Sequence, residues 1–141
     1  MIWKNTPTLE AINAILQDTM VDHLGIAIVE IGPDYIKATM PLTHKTRQPM
    51  GLLHGGASAA LSESIGSVAA VLIVEDPLKE QIVGVELNAN HLKAVRKGSV
   101  TSITKAIRIG RRIQVWNTDI YDENENLVCT SRLTTMRIPV Q

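Results

Sequence analysis

Along this chain the spacing of apolar residues changes period several times, and each change marks an element. Leu9, Ile12, Ile15 and Leu16 recur at helical spacing behind Thr6 and Pro7, which suit a cap and a first turn, so a short amphipathic helix is predicted to open the fold. The runs GIAIVEI (25–31) and YIKATMPL (35–42) read as strands, and Gly32, Pro33 and Asp34 between them supply a turn, so a hairpin is predicted. Residues 43–52, THKTRQPMGL, are polar and broken by Pro49 and Gly51, and read as a loop.

A long helix follows. Ala57, Leu61, Ile65, Val68 and Leu72 form one apolar stripe, and only a narrow polar strip through Ser62, Glu63, Gly66 and Ser67 interrupts it. A helix apolar on most sides is normally surrounded by protein. Beyond Glu75, Asp76 and Pro77 come four strand-like runs, at 82–95, 99–109, 112–122 and 127–138. Gly98, Gly110 and the cluster from Asp122 to Asn126 separate the last three at the spacing of an antiparallel meander.

Strands segregated from one long helix point to an α+β fold with a mainly antiparallel sheet. A sheet curled around the helix explains its nearly all-round apolarity; a flat sheet with the helix on one face is the alternative. The 141 residues suit one domain, 1–141.

Composition adds that aliphatic side chains fill the core, since the chain has two Trp, two Tyr and no Phe. Cys129 is the one cysteine, in strand-like sequence, so it reads as a buried small hydrophobe and no disulfide or zinc pair is expected. The start, MIWKNTPTLE, lacks the pattern of an export signal, and a cytoplasmic protein is expected. Residues 51–74 are about long enough to cross a bilayer but carry His54, Ser62, Glu63, Ser64 and Ser67, so a buried helix is expected and no membrane partner.

The net charge of zero conceals an asymmetry. Lys93, Arg96, Lys97, Lys105, Arg108, Arg111 and Arg112 are half of the 14 basic residues, and no Asp or Glu lies among them. That segment is either an anion site or a solvated sheet edge. A nucleic-acid surface is not expected, given zero net charge and few aromatic side chains to stack on bases.

The chemistry centres on residues 48–67, QPMGLLHGGASAALSESIGS. Glu63 and Ser67 are four residues apart on one helix face, an arrangement that an ordinary solvated strip also gives. His54, Gly55 and Gly56 precede the helix, so its first N–H groups have little side chain in front of them and suit an anion or a developing oxyanion. Neither phosphate-loop motif is present, which removes the main support for nucleotide hydrolysis. No G-x-S-x-G elbow occurs, and His23, His44, His54 and His91 show no local metal pair, so neither metal nor cofactor is expected. What remains is a carboxylate as base or nucleophile, a helix N-terminus as oxyanion hole, and Gln48, His54 and Ser67 as polar helpers. Those parts suit hydrolysis of an activated acyl group, and the basic segment suits a phosphorylated handle such as that of acyl-CoA.

The run Q-P-x-G-x-L-H-G-G-A-S-x-x-L-x-E-x-x-G-S from Gln48 to Ser67 resembles the signature of the hotdog-fold acyl-CoA thioesterases of the phenylacetic-acid-pathway type. The resemblance continues through VGVELNANHLKAV and GRRIQVWNTDIYDENENLVCTSRLTT. Within that family it is most similar to the bacterial 1,4-dihydroxy-2-naphthoyl-CoA thioesterases of menaquinone biosynthesis. It implies an antiparallel sheet wrapped around the long helix, homodimers or homotetramers (dimers of dimers), and a site that spans a subunit interface. It further implies Glu63 as catalytic nucleophile or general base, assisted by Ser67. Across the interface, the Gly55 backbone N–H would polarise the thioester carbonyl, with Gln48 and His54 positioning carbonyl or water. His91, Lys93, Arg111 and Arg112 fall where relatives contact CoA. An acyl carrier protein is a further possible partner. The alternative reading is a non-catalytic acyl-CoA binding or regulatory module on the same scaffold.

Overall fold

A computed structural model describes all of residues 1–141. The hairpin forms as its alternation predicts, β1 (Ala27–Ile31) with β2 (Tyr35–Pro41), and Ile36, Ala38 and Met40 of β2 turn to the interior while their neighbours face outward. The long helix α3 spans Gly55–Leu72. The four later runs become β3 (Glu80–His91), β4 (Ser99–Ile109), β5 (Ile113–Tyr121) and β6 (Leu127–Pro139).

All pairings are antiparallel, in the order β1-β2-β4-β5-β6-β3, so the meander β4-β5-β6 sits centrally and β3 closes one edge against β6. The sheet wraps α3, which packs against every strand from β2 to β6; this is the hotdog arrangement rather than a flat sheet with a helix on one face. Leu61, Ile65 and Ala69 of α3 are fully enclosed with Trp116, Ile120 and Leu133 of the sheet. By length and composition α3 could cross a membrane, yet half of it is buried inside this fold, as a core helix is.

The inner face of the sheet also carries hydroxyls, which pair with one another, with a buried side-chain amide or with the backbone. Thr104 and Thr118 meet at 2.7 Å, Thr135 donates to Gln114 at 3.0 Å, and Ser131 donates to the Thr118 carbonyl at 3.1 Å. Cys129 is buried as expected, and burial followed by the nearby Asp119 charge pushes its thiol pKa up.

Three boundaries differ from the sequence reading. The opening helix α1 runs Leu9–Ile15, and its cap is Thr8, whose Oγ1 accepts from the Ala11 N–H at 3.1 Å, so Thr6 and Pro7 lie outside it. A four-residue helix α2 (Met20–His23), too short for a periodic signal, precedes β1. β3 ends at His91, because the Leu92 and Lys93 N–H groups both turn to the Val128 carbonyl and leave the ladder.

Candidate active site

The loop before α3 is held by its own polar groups. Thr46, nearly fully buried, donates to the Pro41 carbonyl at 2.8 Å, and its carbonyl accepts from the His54 N–H at 2.8 Å. Gly51 takes the left-handed φ of +83° that closes the turn, with its N–H on the Gln48 carbonyl. The Gln48 side-chain oxygen accepts from the Met50 N–H, which leaves the amide NH₂ free to donate elsewhere.

At the helix start the first N–H groups find different partners. His54 caps α3 in extended conformation, and its Nδ1 accepts from the Gly56 N–H at 2.7 Å. An accepting Nδ1 places the proton of the neutral ring on Nε2. The Ala57 and Ser58 N–H groups both turn to the His54 carbonyl, at 3.0 and 3.3 Å. The Gly55 N–H is left without a partner, at the positive end of an 18-residue helix.

That N–H borders a cleft of about 360 Å³ lined by Gln48, Leu52, Leu53, Gly55, Ser58, His91, Leu92, Lys93, Ala94 and Val128. Four predicted site residues, Gln48, Gly55, His91 and Lys93, therefore share one cavity. Lys93 pairs there with Asp122 of the β5–β6 turn. The ammonium, and after it the Asn126 backbone N–H, hold the Asp122 carboxyl well below the usual carboxylate range.

The other predicted residues lie elsewhere. Glu63 is half-buried eight residues along α3, roughly 12 Å beyond Gly55 at 1.5 Å per residue, with Ser67 one turn further on. Its carboxylate rests against Gly84 of β3. Arg111 and Arg112 are exposed in the β4–β5 turn, where the Arg112 carbonyl accepts from the Arg137 N–H. His91 of the cleft, paired with Cys129 of β6, stands seven residues beyond Gly84 along β3, or about 23 Å. The His54 ring lines a separate groove with Met20, Lys45 and Arg47. The basic 93–112 segment is likewise dispersed: Lys93 is paired with Asp122, and Lys105 lies 5.6 Å from the centre of the Tyr35 ring.

Within one chain, then, an oxyanion-type donor in an apolar-walled cleft and a carboxylate stand at opposite ends of β3. That strand is an edge of the sheet, with Val85 56% exposed. Ser58, Gly84 and Asp122 were missed in the sequence. Ser58 follows Gly55 by three residues and is findable from helical spacing; Gly84 and Asp122 meet Glu63 and Lys93, neighbours distant in sequence, and leave no local signal.

Residues 50–129 match the family model described as Thioesterase superfamily. The chain is 50% identical over 135 residues to a protein of Escherichia coli (strain K12) named 1,4-dihydroxy-2-naphthoyl-CoA hydrolase, covering 96% of this chain and 98% of that one. It is 49% identical to a proofreading thioesterase EntH of Cronobacter sakazakii, covering 96% and 97%. Among solved structures, a thioesterase from Haemophilus influenzae superposes with a TM-score of 0.95 at 50% identity, covering 99% of this chain and 96% of that one.

Proposed function

The chain belongs to the thioesterase superfamily and is a thioester hydrolase, and we propose that its substrate is an aromatic acyl-CoA, cleaved to the free acid and CoA at a site shared by two copies of the chain. The observation that carries this is the split of the chemistry along β3: the free Gly55 N–H and its cleft lie at one end, the Glu63 carboxylate at the other.

An isologous dimer joins the two ends. If β3 pairs antiparallel with β3 of a second copy, about a two-fold axis near Leu87 and Asn88, the Gly84 end of each chain faces the His91 end of the other. Glu63 of one copy then approaches Gln48 and Gly55 of the other. The same rotation carries Arg111 and Arg112 toward the second copy's His91 and Lys93, so the dispersed cations converge on one substrate.

In this arrangement the Gly55 N–H and the Gln48 NH₂ polarise the thioester carbonyl. Glu63 either takes a proton from the attacking water or attacks the carbonyl carbon itself, forming an anhydride that water opens; Ser67 assists from the next turn. The C–S bond breaks with its electron pair on sulfur, and a thiol whose pKa is about 8.5 leaves readily as thiolate. Leu52, Leu53, Leu92 and Val128 give the cleft walls that suit a flat apolar acyl group. The relative named for 1,4-dihydroxy-2-naphthoyl-CoA favours the same choice.

Thiol release from 1,4-dihydroxy-2-naphthoyl-CoA, benzoyl-CoA and octanoyl-CoA tests the proposal. Aromatic esters should show kcat/KM at least about tenfold above the aliphatic one, a ratio within what pocket contacts supply. Faster turnover of octanoyl-CoA would sink the aromatic assignment.

A further inference from the structure

Gly55 is a glycine for reasons of space. Its φ is not in the left-handed region, but a Cβ built on it meets His91 Nε2 at 2.8 Å and the two adjoining ring carbons at 3.1 Å each. A position nearly as close to both flanking carbons as to Nε2 lies over the ring face, so the imidazole lays its face at Nε2 against Gly55, and the Nε2–H, which lies in the ring plane, runs past the glycine rather than into it. The ring is carried on a fixed base: His91 is the last residue of β3, paired with Cys129, and the next N–H donates to the Val128 carbonyl at 2.7 Å.

The ideal Cβ lies about 2.5 Å from its own backbone nitrogen, so His91 Nε2 is no more than about 5.3 Å from the Gly55 nitrogen. Two hydrogen bonds of about 2.9 Å can meet at one oxygen when their donors lie within about 5.8 Å of each other. One acceptor atom in the cleft can therefore be held by both groups. Both face the same cavity, beside Gln48 and Ser58.

We propose that His91, through its Nε2–H, is a further donor to the thioester oxygen held by the Gly55 N–H and the Gln48 NH₂. His91 then acts at the reacting carbonyl, not on the CoA phosphates where the sequence resemblance places it. The inference rests on the thioesterase reading above. As water or Glu63 adds to the carbonyl carbon, the C=O electron pair moves onto the oxygen, and the N–H dipoles, already in place, stabilise that charge without any proton transfer. Gly55 serves twice: its N–H is one donor, and its missing side chain admits the His91 ring.

The test uses the full-length protein and two substrates with the same acyl group, benzoyl-CoA and S-benzoyl-N-acetylcysteamine; the second has no nucleotide and no phosphate. His91→Ala should lower kcat by about 10²- to 10³-fold, the range for loss of one oxyanion donor, and by the same factor on both substrates. His91→Gln places an amide N–H near the former Nε2 and should recover at least about tenfold of that loss. Thermal melts should match wild type, because His91 is exposed. A loss confined to the CoA ester and expressed in KM would overturn the proposal and return His91 to the phosphates, and undiminished kcat on both would overturn it equally. Wild-type protein inert toward both esters would instead overturn the thioesterase reading itself.

Discussion

The Glu63 carboxylate rests on the backbone of Gly84: a Cβ at Gly84 would stand 2.6 Å from Glu63 Oε1. The bare strand backbone is thus the surface against which the carboxylate is set. Because the opposing atom is the far end of a flexible side chain, Gly84→Ala should displace the carboxylate at little cost to the fold. Removing a glycine from a strand interior even favours stability by about 0.5 to 1 kcal/mol. A misplacement of about 1 Å can cost up to 10²-fold in rate. Gly84→Ala is therefore expected to keep or raise Tm and to lose at least about tenfold in kcat. Unchanged kcat would show that the position of Glu63 against β3 is immaterial.

A site shared between copies makes a quantitative prediction for mixtures. Glu63→Gln and Gln48→Ala should each be nearly inactive, since acid–base help is worth about 10² to 10⁴ in rate and one oxyanion donor about 10² to 10³. Unfolded together and refolded in equal amounts, half of the dimers are mixed, and each mixed dimer has one site built from an intact Glu63 and an intact Gln48. Activity should return to about a quarter of the wild-type level. No recovery in verified mixed dimers would place all of the chemistry within one chain.

The periodicities made the fold legible, while the site was legible only in part. Alternation in YIKATMPL and RIQVWNTDIYD, and the all-round apolarity of α3, are local signals, and the hairpin, the meander and the enclosed helix follow from them. Gln48, Gly55 and Glu63 stood out because a loop, a glycine pair and a lone carboxylate are each anomalous where they occur. Their mutual distance was not legible, because it depends on how far α3 slides along β3. Nor was the contact of His91 with Gly55, which joins the end of one strand to the start of a helix 36 residues earlier.

His54 is the N-cap of α3. Its Nδ1 caps α3 through the Gly56 N–H, and its ring lines the groove that holds Met20, Lys45 and Arg47. Loss of an N-cap side chain typically costs about 1 kcal/mol, so His54→Ala should lower denaturation free energy by roughly that amount. Asparagine is a good cap, and His54→Asn should restore stability, and turnover with it, because the His54 ring lines a groove apart from the Gly55 cleft. Turnover at least about tenfold down in a stably folded His54→Asn would show that the ring takes part in the chemistry as well as in the cap.

Asp122 offers a test in pH. Its carboxyl is held below the usual range first by Lys93, then by the Asn126 N–H, with the Asn124 N–H also donating. The folded protein thus favours the charged form more than the unfolded chain does. The resulting stabilisation is complete above the unfolded carboxyl pKa of about 3.9 and drains away as pH falls through the lower folded value. Asn at this position keeps an oxygen for the turn's N–H groups but brings no charge to Lys93. Asp122→Asn should therefore melt below wild type by a margin that is constant between about pH 5 and 8 and shrinks on further acidification. Added salt should narrow the margin at neutral pH, because the pair is open to solvent at the Lys93 end. A margin that widens below pH 4 would mean that the paired state is not what depresses the Asp122 pKa.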